Sequence, residues 1–141
     1  MSETINAHAA PKAVGNYPHA RRVGNLLFLS GIGPRDPASN QVPGNEQYAD
    51  GRVRRYDIAA QTHAVFANVR AVLLASGAHM DDLVDVTVYL TDMLADFRIY
   101  NQIWSEYFPD AANAPCRTTV GITALPTAIA IELKCTAVLK D

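Results

Sequence analysis

The chain has 141 residues, 49% hydrophobic and 18% charged, enough for one domain around one apolar core and apolar enough to leave room for a subunit interface. The net charge of −2 gives no general attraction to nucleic acid or to an anionic membrane, and no apolar run reads as long enough to cross a bilayer. Cys116 and Cys135 lack CxxC spacing, which excludes a disulfide framework or a zinc site and points to a reducing, cytoplasmic setting; Met1-Ser2-Glu3-Thr4 does not read as a secretory leader.

The whole chain reads as a single domain with no internal repeat. Residues 1–15 are expected to be a loose lead-in containing Pro11 and Gly15. Residues 20–23 and 26–30 read as two strands joined at Gly24-Asn25, a dipeptide suited to a tight hairpin. The second, Leu26-Leu27-Phe28-Leu29-Ser30, is apolar throughout and is expected to be buried on both faces. Residues 35–55 hold Pro37, Pro43, Gly44, Gly51 and four arginines and read as a long loop of functional or disordered character. Asp57 is a plausible N-cap for a helix over 57–76, where Ile58, Thr62, Val65, Phe66, Val69, Val72 and Leu73 recur at helical spacing and Gly77 supplies the stop. Val84, Val86, Val88 and Leu90 alternate with polar residues as in a half-buried strand. Phe97, Tyr100, Trp104, Tyr107 and Phe108 form the stripe of a second helix that ends at Pro109. Residues 116–122 and 129–139 read as the last strands, with Ile129, Ile131, Leu133, Cys135, Ala137 and Leu139 on one face. The order β-β-α-β-α-β-β predicts an α+β fold, a mixed sheet with two helices on one face. Its other face needs a cover, and subunit association is the natural supplier.

Arg117 and Glu132 stand at polar positions of two otherwise apolar strands, separated by a turn marked by Pro126. An arginine can hold a carboxylate in a planar, two-pronged grip, and a glutamate a few ångströms away can manage a water. The pair suits hydrolysis beside a carboxylate. It equally suits an exposed strand arginine and a surface salt bridge from Glu132 to Lys134, worth about 0–1 kcal/mol. Tyr17 before the first strand can close a pocket or simply plug one. Ser30-Gly31 lacks a Gly-x-Ser-x-Gly elbow, which excludes a serine nucleophile and leaves a hydroxyl and an amide as pocket lining. His8, His19, His63 and His79 form no metal-ligand spacing, and His63 beside the apolar stripe of the first helix reads as structural. The sequence has no phosphate loop and no dinucleotide fingerprint, so the chemistry expected is free of metal and cofactor.

Gly15-Asn16-Tyr17, Leu29-Ser30-Gly31, Val86 to Asp92, Pro115-Cys116-Arg117 and Ile131-Glu132 fall in an order and spacing that resembles the RidA (reactive intermediate deaminase, YjgF-like) family over residues 11 to 139. The resemblance implies a chorismate-mutase-like fold and a homotrimer around a central β-barrel. It also implies inter-subunit clefts and cofactor-free hydrolysis of enamines and imines to ketones and ammonia. By motif, Arg117 is implied as the carboxylate-binding residue and Glu132 as the water-positioning residue. Tyr17, Ser30 and Gly31 are implied as pocket wall, with Cys116 contributing backbone groups only.

Ile32, where the family usually shows Gln, the Gly15-Asn16-Tyr17 turn and the longer 35–55 segment depart from the general pattern. Together with Pro18 to Arg22 and Gly31 to Arg35 they resemble the 2-aminomuconate deaminase branch. That resemblance implies conversion of 2-aminomuconate to 4-oxalocrotonate and ammonia in the degradation of nitro- and aminoaromatic compounds. A dicarboxylate substrate needs a second cation, for which Arg35 is the first candidate and Arg52, Arg54 and Arg55 follow. Two other readings are a general 2-imino acid deaminase and a non-catalytic or scaffold-like trimer that binds carboxylate metabolites.

Overall fold

Two hydrophobic periods, one of two residues and one of 3.6, divide the chain into a sheet and a helical layer. A computed structural model describes residues 2–140. The elements in chain order are β1 (Ser2–Ile5), β2 (Ala20–Val23), β3 (Leu26–Leu29), β4 (Glu46–Gln47), β5 (Val53–Arg55), α1 (Ile58–Ala75), β6 (Leu83–Leu90), α2 (Met93–Tyr107), β7 (Cys116–Gly121) and β8 (Ile131–Val138). The main sheet runs β1-β2-β3-β8-β6-β7. Only the β6–β7 pair is parallel, because α2 between them makes the crossover that parallel strands require. Both helices lie on one face of this mixed sheet, as the sequence predicts.

α1 begins where expected: the Asp57 carboxylate accepts a hydrogen bond from Ala60 N, and Gly77, at φ +77°, ends the helix region in the left-handed conformation that glycine adopts freely. Its 18 residues have a mean hydropathy of 1.3, so the helix meets the length and apolarity of a bilayer span, contrary to the sequence reading. Val65, Phe66, Val69, Val72 and Leu73 are buried against the sheet, and α1 is the core helix of the fold. β8 is shorter than the predicted 129–139; within it the alternation holds, with Ile131, Leu133, Cys135 and Ala137 fully buried under the helices, whereas Ala130, expected on the opposite face, is buried as well.

Four local expectations are corrected. The lead-in contains β1, which pairs with β2 from Ser2↔Val23 to Ile5↔Ala20. The 35–55 segment contains the β4–β5 hairpin, a separate two-stranded ribbon. β3 is not buried on both faces: Leu27 and Leu29 are, but Leu26 and Phe28 are 38% and 40% exposed. Leu26 lies opposite Val138 and Phe28 opposite Thr136, on the sheet face that carries no helix. Val84 is also exposed, because a bulge between Leu83 and Asp85 resets the alternation that Val86, Val88 and Leu90 then follow inward.

Candidate active site

A small cleft opens where β3 runs on into Ser30–Gly33. It is lined by Lys12, Tyr17, His19, Ser30, Gly31, Ile32 and Arg35, among others. The segment is fixed by a two-way backbone bridge, Ile32 N to Leu133 O and Leu133 N to Ile32 O, both 2.9 Å. Ile32 itself is buried. This apolar anchor sets Gly31 directly against Glu132. A methyl group at Gly31 would lie 2.6 Å from Glu132 Oε2, so only glycine lets the carboxylate sit there undisturbed.

Glu132 is half-buried, and among the described residues it makes no ion pair. Desolvation raises its pKa above the ordinary carboxylate value. The surface salt bridge to Lys134 does not form, because Lys134 Nζ donates instead to the carbonyl of Leu29. The Ser30 hydroxyl donates to Pro18 O at 2.7 Å, which orders the wall rather than leaving the oxygen as a nucleophile. Tyr17 is exposed at the rim.

His19 is a wall residue whose place the sequence does not indicate. Its Nδ1 accepts from Ala7 N at 2.8 Å, so the proton sits on Nε2, which donates to Pro11 O at 2.6 Å. One neutral ring thereby ties the N-terminal segment to the cleft.

Arg35 reaches the cleft, with Nη1 donating to Asn40 Oδ1 at 2.5 Å and Nη2 to Lys12 O at 2.7 Å. Arg52, Arg54 and Arg55 are absent from this cleft. They belong to the β4–β5 region, where Arg52 pairs with Asp50 and the other two with Glu46. Of the four arginines named for a second cation, Arg35 lines this cleft and the other three do not.

Arg117 is not beside Glu132. It lies opposite Val86 on β6, Val86 lies opposite Cys135 on β8, and Glu132 is three residues further along that strand. At about 3.3 Å per residue and about 4.8 Å per strand, the two are roughly 10 Å apart along the sheet and roughly 10 Å across it. Register also puts them on opposite faces. Arg117 shares the helix face with buried Val86, whereas Glu132 shares the open face with Tyr89. The Arg117 guanidinium lies over the rings of Trp104 and Tyr100, at 4.9 and 5.3 Å. Cys116 is exposed at the start of β7, on the open face. Within one chain, Arg117 and Glu132 therefore lie in separate surroundings. The cleft around Gly31 has a cavity volume of about 30 Å³, room for about two waters and too little for an organic acid.

Comparison with known proteins shows the same chain plan elsewhere. The family model described as Endoribonuclease L-PSP matches residues 7–139. The chain is 33% identical over 139 residues to the 2-iminobutanoate/2-iminopropanoate deaminase of Escherichia coli, covering 98% of each. It is 36% identical over 137 residues to the chloroplastic Reactive Intermediate Deaminase A of Arabidopsis thaliana, covering 97% of this chain and 66% of that protein. The crystal structure of the YjgF gene product from E. coli superposes with a TM-score of 0.81 at 32% identity, covering 98% of this chain and 99% of that one.

Proposed function

The chain belongs to the Endoribonuclease L-PSP family, which includes the RidA and YjgF proteins, and on that premise we propose that it hydrolyses 2-imino acids to 2-oxo acids and ammonia. The observation that carries this reading is Glu132: a half-desolvated carboxylate without an ion-pair partner among the described residues, packed against Gly31 of the cleft wall. A binding protein for carboxylates would need Arg117 but would have no use for Glu132 in this state. A ribonuclease would need a surface that neutralises phosphates, and a net charge of −2, with Arg52, Arg54 and Arg55 paired to acids, offers little for that.

The geometry suits a site completed by a second copy. Arg117 of one subunit faces Glu132, Tyr17, Ser30 and Gly31 of its neighbour, in a trimer whose open sheet faces close around a barrel. Arg117 grips the substrate carboxylate in a two-pronged contact. An enamine first takes a proton on carbon to give the imine, the electrophile. Glu132 accepts a proton from a water whose oxygen bonds to C2. Glu132 hands that proton to the nitrogen, giving the neutral carbinolamine. As the C=O forms, the hydroxyl proton follows through the same carboxylate to the nitrogen, the C–N bond breaks, and ammonia leaves carrying both protons of the water. Imines hydrolyse readily in water, so positioning and modest proton transfer suffice. The relatives named above support this broad reaction. The 2-aminomuconate reaction is a narrower form of it in which Arg35 would hold the second carboxylate, and no comparison carries that narrower form.

The test uses 2-iminopropanoate generated in place from alanine by an amino-acid oxidase, with the surviving imine trapped by semicarbazide. The parent should remove the imine faster than it decays on its own, and Arg117→Ala should lose that activity. A parent no faster than the spontaneous decay would overturn the reading. Running 2-aminomuconate alongside decides between the broad and narrow substrates.

A further inference from the structure

We propose that Trp104 and Tyr100 are positioning residues for Arg117: an aromatic platform that holds the guanidinium by its flat face and leaves its donor edge to the substrate. The proposal rests on the reading that Arg117 binds the substrate carboxylate. A half-buried arginine normally finds a carboxylate partner, yet among the described residues none lies within ion-pair distance of Arg117. Its charge is met instead by two ring faces, Trp104 at 4.9 Å and Tyr100 at 5.3 Å. The difference is chemical. A carboxylate partner would occupy the N–H fork that a substrate carboxylate needs, whereas a ring face attracts the cation and leaves the in-plane donors free.

The platform is built to stay in place. Tyr100 is fully buried and Trp104 only 7% exposed. The two rings stand one helical turn apart on α2 and meet edge to face, with centroids 6.5 Å apart. The Tyr100 hydroxyl bonds Thr119 Oγ1 at 2.9 Å, which ties α2 to β7 two residues beyond Arg117. Trp104 is backed by Phe108 at 4.7 Å and by Phe66 of α1 at 6.0 Å. Parallel pairing with β6 brings Arg117 over these rings, since its side chain shares the inward face with Val86 and Val88. The platform thus restrains a long side chain before substrate arrives, reducing the entropy lost on binding.

Trp104 is the chain's only tryptophan, so biosynthetic replacement by mono-, di-, tri- and tetrafluorotryptophan drains the face charge of this one ring while nearly preserving its shape. KM for 2-iminopropanoate should rise stepwise with fluorination, to between about 2- and 30-fold, the span of cation–π strengths from exposed to desolvated. The value of kcat should change far less, and the melting temperature should stay level. Trp104→Phe, which keeps a ring face, should retain more affinity than Trp104→Leu. A KM that is flat across the fluorinated series, or that rises only as the melting temperature falls, would overturn the platform. If the unmodified chain does not hydrolyse the imine, it is the functional reading that falls. The series is then read through the Kd of pyruvate, where a stepwise rise supports the platform and a constant value overturns it.

Discussion

At Glu132 a single register decision places a carboxylate on the open face of β8, half out of water, with Gly31 pressed against it. Desolvation raises its pKa, and a general base works only when deprotonated. The acidic limb of the kcat profile should therefore lie above the ordinary carboxylate range. The same shift has a sign for stability. Because the folded value exceeds the unfolded one, the folded chain holds a proton between the two values that the unfolded chain has lost. Stability from this group thus rises as pH falls through that window. Gly31→Ala should separate fold from function. Its new methyl meets only the mobile end of Glu132, 2.6 Å from Oε2 and 2.9 Å from Cδ, so the melting temperature should scarcely move. The displaced carboxyl should lower kcat by a sizeable part of the roughly 10²- to 10⁴-fold that a positioned base contributes. Unchanged kcat in Gly31→Ala would show that Glu132 does not need its present place. The sequence marks Gly31 and Glu132 separately as site residues. Their contact depends on the Ile32–Leu133 bridge, a pairing between positions far apart in the chain.

Among the elements, α1 does more than fill the core. Gln61, fully buried on its first turn, accepts from Ala130 N at 2.8 Å through Oε1 and donates to Asn45 Oδ1 at 2.9 Å through Nε2. Asn45 in turn donates to Ala128 O at 2.9 Å. One side chain thus joins the 35–55 segment, the start of α1 and the approach to β8, two residues before Glu132. Gln61→Leu would leave the buried Ala130 N–H without its partner, at a cost of about 1–3 kcal/mol. Urea denaturation should show this as a lower midpoint with an unchanged slope. An unaltered midpoint would mean that the segment is held by other contacts. The helices were legible in the sequence because local signals suffice: a capping aspartate, a 3.6 period, a glycine or proline stop. The β1 strand was not, since four residues of mixed polarity carry no period and are ordered only by β2. Nor was the β4–β5 ribbon, whose two short strands lie among prolines and glycines.

For the molecule as a whole, the proposed association of copies would both cover the open sheet face and bring an Arg117 to a Glu132. Val23, Leu26 and Phe28 are exposed on β2 and β3, with Glu132 on the same face and Arg117 on the other. If a neighbouring copy completes each site in a closed ring, Arg117→Ala and Glu132→Gln damage different halves of it. Each variant alone should be inactive. Mixed at random in equal amounts by co-expression, they should recover roughly a quarter of the parent activity, because that share of interfaces pairs an intact arginine with an intact glutamate in a head-to-tail ring. No recovery in verified mixed oligomers would place both residues in one chain's site.

The sequence by itself determined the helices and the inward face of β8, and it singled out Arg117 and Glu132 as candidates, because each depends on chemistry or spacing within a few residues. It could not determine that Arg117 and Glu132 lie on opposite faces. That depends on β6 standing between β7 and β8 and on how the three strands register. It could not reveal that Trp104 and Tyr100 carry the arginine, because a helix stripe and a strand residue meet only when the crossover folds one over the other. These relations belong to pairing and packing between distant segments, and tertiary structure decided them.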